Sequence, residues 1–343
     1  MRLAMFTHSV QENGLGRAFC LWLLARELNW DVEIVAPQSG DPWLPLGEEQ
    51  AFLSTFVSDP VGAAERSDLL LALKPWPGSF DLALKAGRAA GRPVTLDVDD
   101  PDWESVYGWN HARVLEGFIR RSLRGDFPVQ AYRLRWQASR NVPVLVSNPS
   151  LQRWYPGANV IPHVRRLRPA GDIHSRTSRI EVAFVGSVRP HKGVELLREA
   201  VEDAGDMRLT ITDDPPSSAR PNENWTGITS LAVGLELVNH ADIVAIPSLP
   251  WIYGYQLPVK LIDAMLAGRA IVASDLPPIR WALGGTGVLV QPGDLGSLTG
   301  ALQKLRDPAE RTRLGLMARA RALSVFTVAS VAPAFAAVLS SAL

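Results

Sequence analysis

The sequence has little sulfur, few lysines, no net charge and no long apolar run. A single cysteine among 343 residues, Cys20, excludes an intrachain disulfide and fits a reducing compartment. Its neighbours Phe19, Leu21 and Trp22 mark it as a core position rather than a nucleophile. The 35 Lys+Arg balance 35 Asp+Glu, so the chain lacks the basic excess of a protein that coats nucleic acid or an anionic surface. No membrane-spanning segment of roughly 20 apolar residues is expected. The apolar run in the opening MRLAMFTHS is shorter than the apolar centre of a signal peptide, so a cytoplasmic location is expected. Only five of the basic residues are lysines (Lys74, Lys85, Lys192, Lys260, Lys304), which makes the place of each one informative.

What the chain does have is alternation. RLAMF, a loop with Gly14 and Gly16, the helical RAFCLWLLARELN and DVEIVAP form a βαβ unit with parallel strands. DLLLALK, a helix SFDLALKAGRAAG, PVTLDVDDPDW, helical stretches near 112–124 and 128–140, and VPVLVS follow. Residues 165–179 are polar, with Pro169, Gly171, Ser175 and Ser178, and read as a linker. Alternation then restarts with RIEVAFVGS, VELLREAVEDAG, MRLTITDD, LAVGLELVNHA, DIVAIPS, PVKLIDAMLAG, RAIVASD and GVLVQP. The fold class is α/β: two Rossmann-like doubly wound domains, residues 1–164 and 180–325, facing across a cleft, with a C-terminal helix in 326–343 packing back on the first. Ligands in such folds bind beyond the carboxyl ends of the strands.

Two segments carry chemistry there. In FVGSVRPHKG a strand delivers Gly186 and Ser187 into a turn, and Arg189 and Lys192 stand beside the next helix. In PSLPWIYGYQLPVKLIDAMLAG, Pro258 suits a first helical position, leaving the amides of Val259 and Lys260 free for an anion. Asp263 lies a turn further on. The pair resembles the group 1 (family 4-like) retaining glycosyltransferases: Gly186 and Lys192-Gly193, then Ala241-Asp242-Ile243, Pro247-Ser248, Asp263-Ala264-Met265 and Ala267-Gly268, closed by GVLVQPGDLGSLTGALQKLRD. The resemblance is strong over about 180–307 and weak before it.

It implies a GT-B fold and metal-independent transfer of a sugar from a nucleotide-diphosphate donor to an acceptor hydroxyl, with no cofactor besides that donor and no nucleic-acid partner. Lys192 matches the lysine that neutralises the diphosphate. Ser187 fills the usual arginine slot, so Arg189 is expected as the second cation. Asp263 matches the ribose-binding acid, base contacts fall near Thr212 to Asp214, and Tyr255 stands where the family has an acid beside the sugar. That last departure leaves a catalytically silent partner or scaffold as the alternative function.

The first half offers acceptor-side candidates. Gly14 and Gly16 of NGLGR read as a glycine-rich loop that lets backbone approach phosphate or acceptor. His8, ending the first strand, is expected to face the cleft. DVDDPDWE gathers Asp97, Asp99, Asp100, Asp102 and Glu104 with no base among them, either a solvated loop or, at Asp99 and Asp100, contacts to acceptor hydroxyls. His111 and His163 are near this stretch only in sequence. Arg113, Arg120, Arg121, Arg124, Arg133, Arg135 and Arg140 face only two acids; they form a solvated face or a peripheral contact with the inner, anionic side of a membrane.

Overall fold

The computed structural model describes residues 1–11, 14–37, 41–107, 119, 128–138, 142–171, 179–250 and 252–343. Two compact units divide the chain: Met1–Trp43, Glu49–Val164 and Val328–Leu343 form the first, Leu44–Glu48 and Arg165–Thr327 the second.

The first unit holds β1 (Arg2–Phe6), β2 (Asp31–Val35), β3 (Phe56–Val57), β4 (Leu69–Leu73), β5 (Val94–Val98), β6 (Val144–Val146) and β7 (Asn159–Val160). All pair in parallel in the order β3-β2-β1-β4-β5-β6-β7. Helices α1 (Gly14–Glu27), α2 (Gln50–Leu53), α3 (Pro60–Arg66), α4 (Phe80–Ala90), α5 (Asp102–Tyr107) and α6 (Pro128–Ala138) connect them. A parallel strand covered on both faces needs apolar residues throughout rather than alternately, and β4, LLLAL, is buried along its whole length.

The second unit holds β8 (Ile180–Phe184), β9 (Met207–Ile211), β10 (Glu223–Trp225), β11 (Ile243–Ile246), β12 (Ala270–Ser274) and β13 (Val288–Val290), with α7 (Val194–Ala204), α8 (Leu231–His240), α9 (Val259–Leu266), α10 (Pro277–Leu283), α11 (Leu295–Lys304) and α12 (Pro308–Val325). Its strands are again all parallel, in the order β10-β9-β8-β11-β12-β13. Both sheets therefore reverse direction of winding once, between β1 and β4 and between β8 and β11. That reversal opens a crevice at the strand ends, where ligands of doubly wound sheets bind. β3, β7 and β10, the strands that periodicity misses, are two- or three-residue pieces at sheet edges, too short to show a pattern.

The helix α13 (Val328–Ser340) belongs to the first unit and lies along α1, where Trp30 meets Phe335 at 5.7 Å between ring centres. This second cover explains why α1 is buried around its circumference rather than on one stripe, and why Cys20 is fully enclosed. Gly14 and Gly16 are a correction to the reading of NGLGR: they form the first turn of α1, not a loop, and neither has a positive φ. Residues 165–171, the start of the stretch read as a linker, are tied into the second unit. Arg165 N donates to Phe326 O at 3.1 Å, and Gly171 N to Ala267 O at 3.2 Å.

Arg17, 1% exposed, crosses the first unit's interior. Its Nε and Nη2 donate to the two Asp97 oxygens at 2.9 and 2.7 Å, and Nη2 also to Ile161 O at 2.8 Å. One planar fork thus joins α1, β5 and the end of β7. Arg17→Ala leaves the Asp97 carboxylate uncompensated in the interior and is expected to cost about 3–5 kcal/mol. The joint change Arg17→Leu and Asp97→Leu removes both charges and is expected to recover most of that loss in urea denaturation; equal losses for the single and double variants would show the pair does not set stability.

Candidate functional site

In the second unit the turn after β8 is shaped by its neighbours. Gly186, with φ of 120°, donates its N–H to Thr212 Oγ1 at 2.6 Å, and Val188 N donates to Asp213 Oδ2 at 2.5 Å. Thr212 and Asp213, just past β9, therefore hold the turn that sequence pairs with a diphosphate. Lys192 Nζ reaches Ser187 Oγ at 3.3 Å, and the exposed Arg189 caps the short 190–192 helix. At Gly193, with φ of 67°, a Cβ would lie 2.0 Å from Pro247 O, so the Lys-Gly and Pro-Ser motifs touch backbone to backbone at the β8/β11 reversal, and only glycine permits it.

The second motif starts one residue later than the sequence suggests: Pro258 is the N-cap and α9 opens at Val259. The amides of Val259 and Lys260 still lie in the first turn, where no intrahelical acceptor exists. His191, Lys192, Ser248, Leu249, Gln256, Pro258 and Lys260 line a hollow beside them. Burial, then the charges of Lys192, Arg189 and Lys260, push the His191 imidazole down to about 4. Burial is the larger cause and the cations add to it in the same sense, the sign of charge that an anion site requires.

Lys260 Nζ is buried and has no hydrogen-bond partner among the described residues; it rests over the Phe184 ring, 3.5 Å from its centre. Asp263 has a partner: Arg165 Nε donates to Oδ1 at 2.7 Å and Nη2 to Oδ2 at 3.4 Å. The residue expected to meet a ribose is thus held by a guanidinium fork. Tyr255 ends the short 252–255 helix and is half-buried.

The acidic stretch of the first unit is neither solvated nor free of bases, contrary to its sequence reading. Asp97, Asp99, Asp100 and Glu104 are all 5% exposed or less, and each meets a cation from elsewhere in the chain. Lys74, beyond β4 with φ of 69°, places Nζ 3.5 Å from Asp99 Oδ1, 3.6 Å from Asp100 Oδ2 and 2.5 Å from Asp102 Oδ2. Burial opposes the ammonium, but the three carboxylates outweigh it and hold Lys74 well above the usual lysine range. Carboxylate oxygens of the three acids lie within 4.8 Å of one another, the spacing of a cation site whose cation is here an ammonium. Gly14 matters for the same group, since a Cβ there would lie 3.3 Å from Lys74 Cε.

His163, near the acids only in sequence on the earlier reading, is buried and joins Lys74 and Arg17 in holding Asp99 below the usual carboxylate value against the penalty of burial. His8, two residues past β1, acts in the same sense on Asp102. Arg135 is not on a solvated face: Nε donates to Glu104 Oε1 at 3.1 Å, Nη2 to Trp154 O at 2.7 Å, and its guanidinium lies 4.0 Å from the Tyr155 ring centre. Arg133 is exposed; Arg113, Arg120, Arg121, Arg124 and Arg140 lie outside the described residues, as does His111. Lys74 and Arg165 are the functional residues that sequence reasoning missed. Only the scarcity of lysine pointed at the first, and nothing local marks the second.

A family profile described as "Glycosyl transferases group 1" matches residues 179–307. Over an alignment of 411 residues, spanning 100% of this chain and 98% of the relative, the sequence is 40% identical to the MMP alpha-(1->4)-mannosyltransferase of Mycolicibacterium hassiacum. It is 29% identical over 152 residues to the D-inositol 3-phosphate glycosyltransferase of Mycolicibacterium smegmatis, covering 38% of this chain and 34% of that protein. Among solved structures, Anabaena Alr3699/HepE in complex with UDP-glucose superposes with a TM-score of 0.70 at 17% identity, over 99% of this chain and 100% of that one. A glycosyltransferase from Rickettsia africae gives 0.72 at 10% identity, over 99% and 98%; these two share the GT-B fold of paired Rossmann-like units. With its whole length aligned at 40% identity to one such enzyme, the chain belongs to the group 1 glycosyltransferases.

Proposed function

We propose that this glycosyltransferase moves a hexosyl group from a nucleotide-diphosphate sugar to an acceptor hydroxyl, with retention at the anomeric carbon and without a metal ion. The observation that carries the reading is the positive corner at the β8/β11 reversal: Lys192, Arg189 and the first amides of α9, whose cations add to burial in depressing His191. Nucleotide-diphosphate donors suit it, as the complex of Anabaena Alr3699/HepE with UDP-glucose suggests. The name of the 40% identical relative, an alpha-(1->4)-mannosyltransferase, favours mannose as the sugar.

In this reading the diphosphate lies against Lys192, Arg189 and the amides of Val259 and Lys260. These contacts strengthen as the bond to the anomeric carbon breaks and negative charge collects on the leaving group. Gly186 and Ser187 give the phosphates backbone and hydroxyl donors, Thr212 keeps the turn in place, and Asp263, oriented by Arg165, accepts from the ribose. Asp99, kept ionised by Lys74, His163 and Arg17, and Asp100 accept from acceptor hydroxyls, and His8 and Tyr255 are taken as further acceptor contacts. The acceptor attacks from the face the diphosphate leaves, and a diphosphate oxygen takes its proton. Lys74 supplies among the three aspartates the positive charge that a metal would otherwise bring.

Lys192→Ala is expected to lower kcat/KM for sugar transfer by about 10²–10³ with an unchanged melting temperature; full activity in that variant would overturn the assignment. Wild-type turnover is expected to survive EDTA, and an activity lost to chelation and restored by Mg²⁺ or Mn²⁺ would remove the metal-independent part of the reading.

The His191 imidazole is expected to titrate near 4 in the free protein and to move toward its ordinary value of about 6.5 when GDP or UDP neutralises the corner. Because the folded value lies below the unfolded one, the unfolded chain binds more protons between those limits, and His191 weakens folding as pH falls through that window. Imidazole NMR titration with and without nucleotide checks the shift; a midpoint unmoved at saturation would count against an anion at this corner.

A further inference from the structure

We propose that the Lys260 side chain is a third cation of the diphosphate site, held without a counter-ion beneath the Gly186 turn, and that a bound diphosphate is its missing partner. The inference rests on the donor site described above and adds to it, since there only the Lys260 amide is used.

Four observations converge on the ammonium. It is buried and lacks a hydrogen-bond partner among the described residues, although an ammonium has three donors to satisfy. Its contact on the protein side is the face of the Phe184 ring at 3.5 Å, an attraction that supports a cation without satisfying its donors. It stands 3.5 Å from where a Cβ of Gly186 would be, directly under the turn that sequence and geometry assign to phosphate. It also lies on the first turn of α9, whose unpaired amides attract negative charge.

Every other buried or half-buried cation discussed above has an oxygen: Arg17 has Asp97, Arg135 has Glu104, Arg165 has Asp263, Lys74 has three aspartates and Lys192 has Ser187. A buried charge left alone is unfavourable: the group either gives up its proton or keeps it beside a partner from outside the chain.

The consequence is a proton linkage. Burial, with the charge of Lys192 added, pushes Lys260 well below the lysine range. The charged and titratable groups around the turn are Lys192, Arg189 and His191, together with one acid, Asp213, whose oxygens accept from Val188 N and Asp214 N and not from Lys260. An arriving diphosphate reverses the local sign, so Lys260 regains its ordinary affinity for a proton and binding takes one up from solvent. In the empty site the depressed value weakens folding at pH below the lysine range, and stability contributed by losing this charge returns as pH rises toward it.

Calorimetry of GDP and UDP binding at about pH 8, where the nucleotide's terminal phosphate and His191 no longer titrate, measures proton uptake by comparing buffers of different ionisation enthalpy. Wild-type protein is expected to take up protons on binding. Lys260→Met, which keeps the apolar stem over Phe184, is expected to melt no lower than wild type, to bind the same nucleotide on the order of tenfold to a hundredfold more weakly, and to lose the uptake. Lys260→Arg, always charged, is expected to bind without uptake.

Wild-type heats that do not depend on buffer, or equal affinity and uptake in Lys260→Met, would overturn the proposal while leaving the donor site intact. Failure of wild type to bind any of GDP, UDP and ADP would overturn the donor-site reading and this proposal with it. The wild-type buffer comparison decides the matter even if the methionine variant does not fold.

Discussion

Parallel pairing is the constraint on which the rest of the structure depends. When all strands of a sheet run one way, their carboxyl ends leave from one side, and the loops that follow are gathered there whatever their separation in sequence. Reversal of winding between β1 and β4, and between β8 and β11, then parts the loops at one place in each unit. Lys74 follows β4, and Gly193 meets Pro247 where the loops after β8 and β11 come together. Lys74 and the Gly193–Pro247 contact thus sit at these reversals.

The two units treat charge in opposite ways. In the first, acids arrive on one strand end and cations are brought to each of them: Arg17 from α1, Lys74 from the end of β4, Arg135 from α6. Fixed charges paired inside a low-dielectric interior are costly to separate, which makes this end of the first sheet rigid. In the second, positive groups accumulate with little opposing charge, and the stress is visible in a suppressed histidine and a lysine without an oxygen. A site that is electrostatically unfavourable when empty gains most from a ligand of the opposite sign, so binding energy there is differential rather than uniform.

Much of this was legible in the sequence, and the exceptions have physical causes. The long apolar runs of β4, β5, β8, β11 and β12 read directly as buried parallel strands, while β3, β7 and β10 did not, because edge strands of two or three residues carry no periodicity. Gly186, Lys192, Gly193 and Pro258 announced an anion site because local backbone conformation and helix ends are local properties. The pairing of charges is not local. Arg17 meets Asp97 across 80 residues and Arg165 meets Asp263 across 98, so a stretch such as DVDDPDWE looks solvated until the chain is folded around it. Gly14 illustrates the same limit: its neighbour is Lys74, and no pattern within NGLGR indicates that a methyl group there would crowd a lysine stem.

The ownership of the last helix bears on how the protein is made. The second unit, apart from the short piece 44–48, is one unbroken stretch from Arg165 to Thr327, whereas the first needs α13 to cover α1 and Trp30. A ribosome delivers residues in order, and domains fold as their parts become available. The first unit to be translated is therefore the last to be complete, with an apolar helix awaiting its cover while the other unit has all of its residues in hand. Truncation by a single terminal helix would strip a wall from the N-terminal unit, not shorten the C-terminal one.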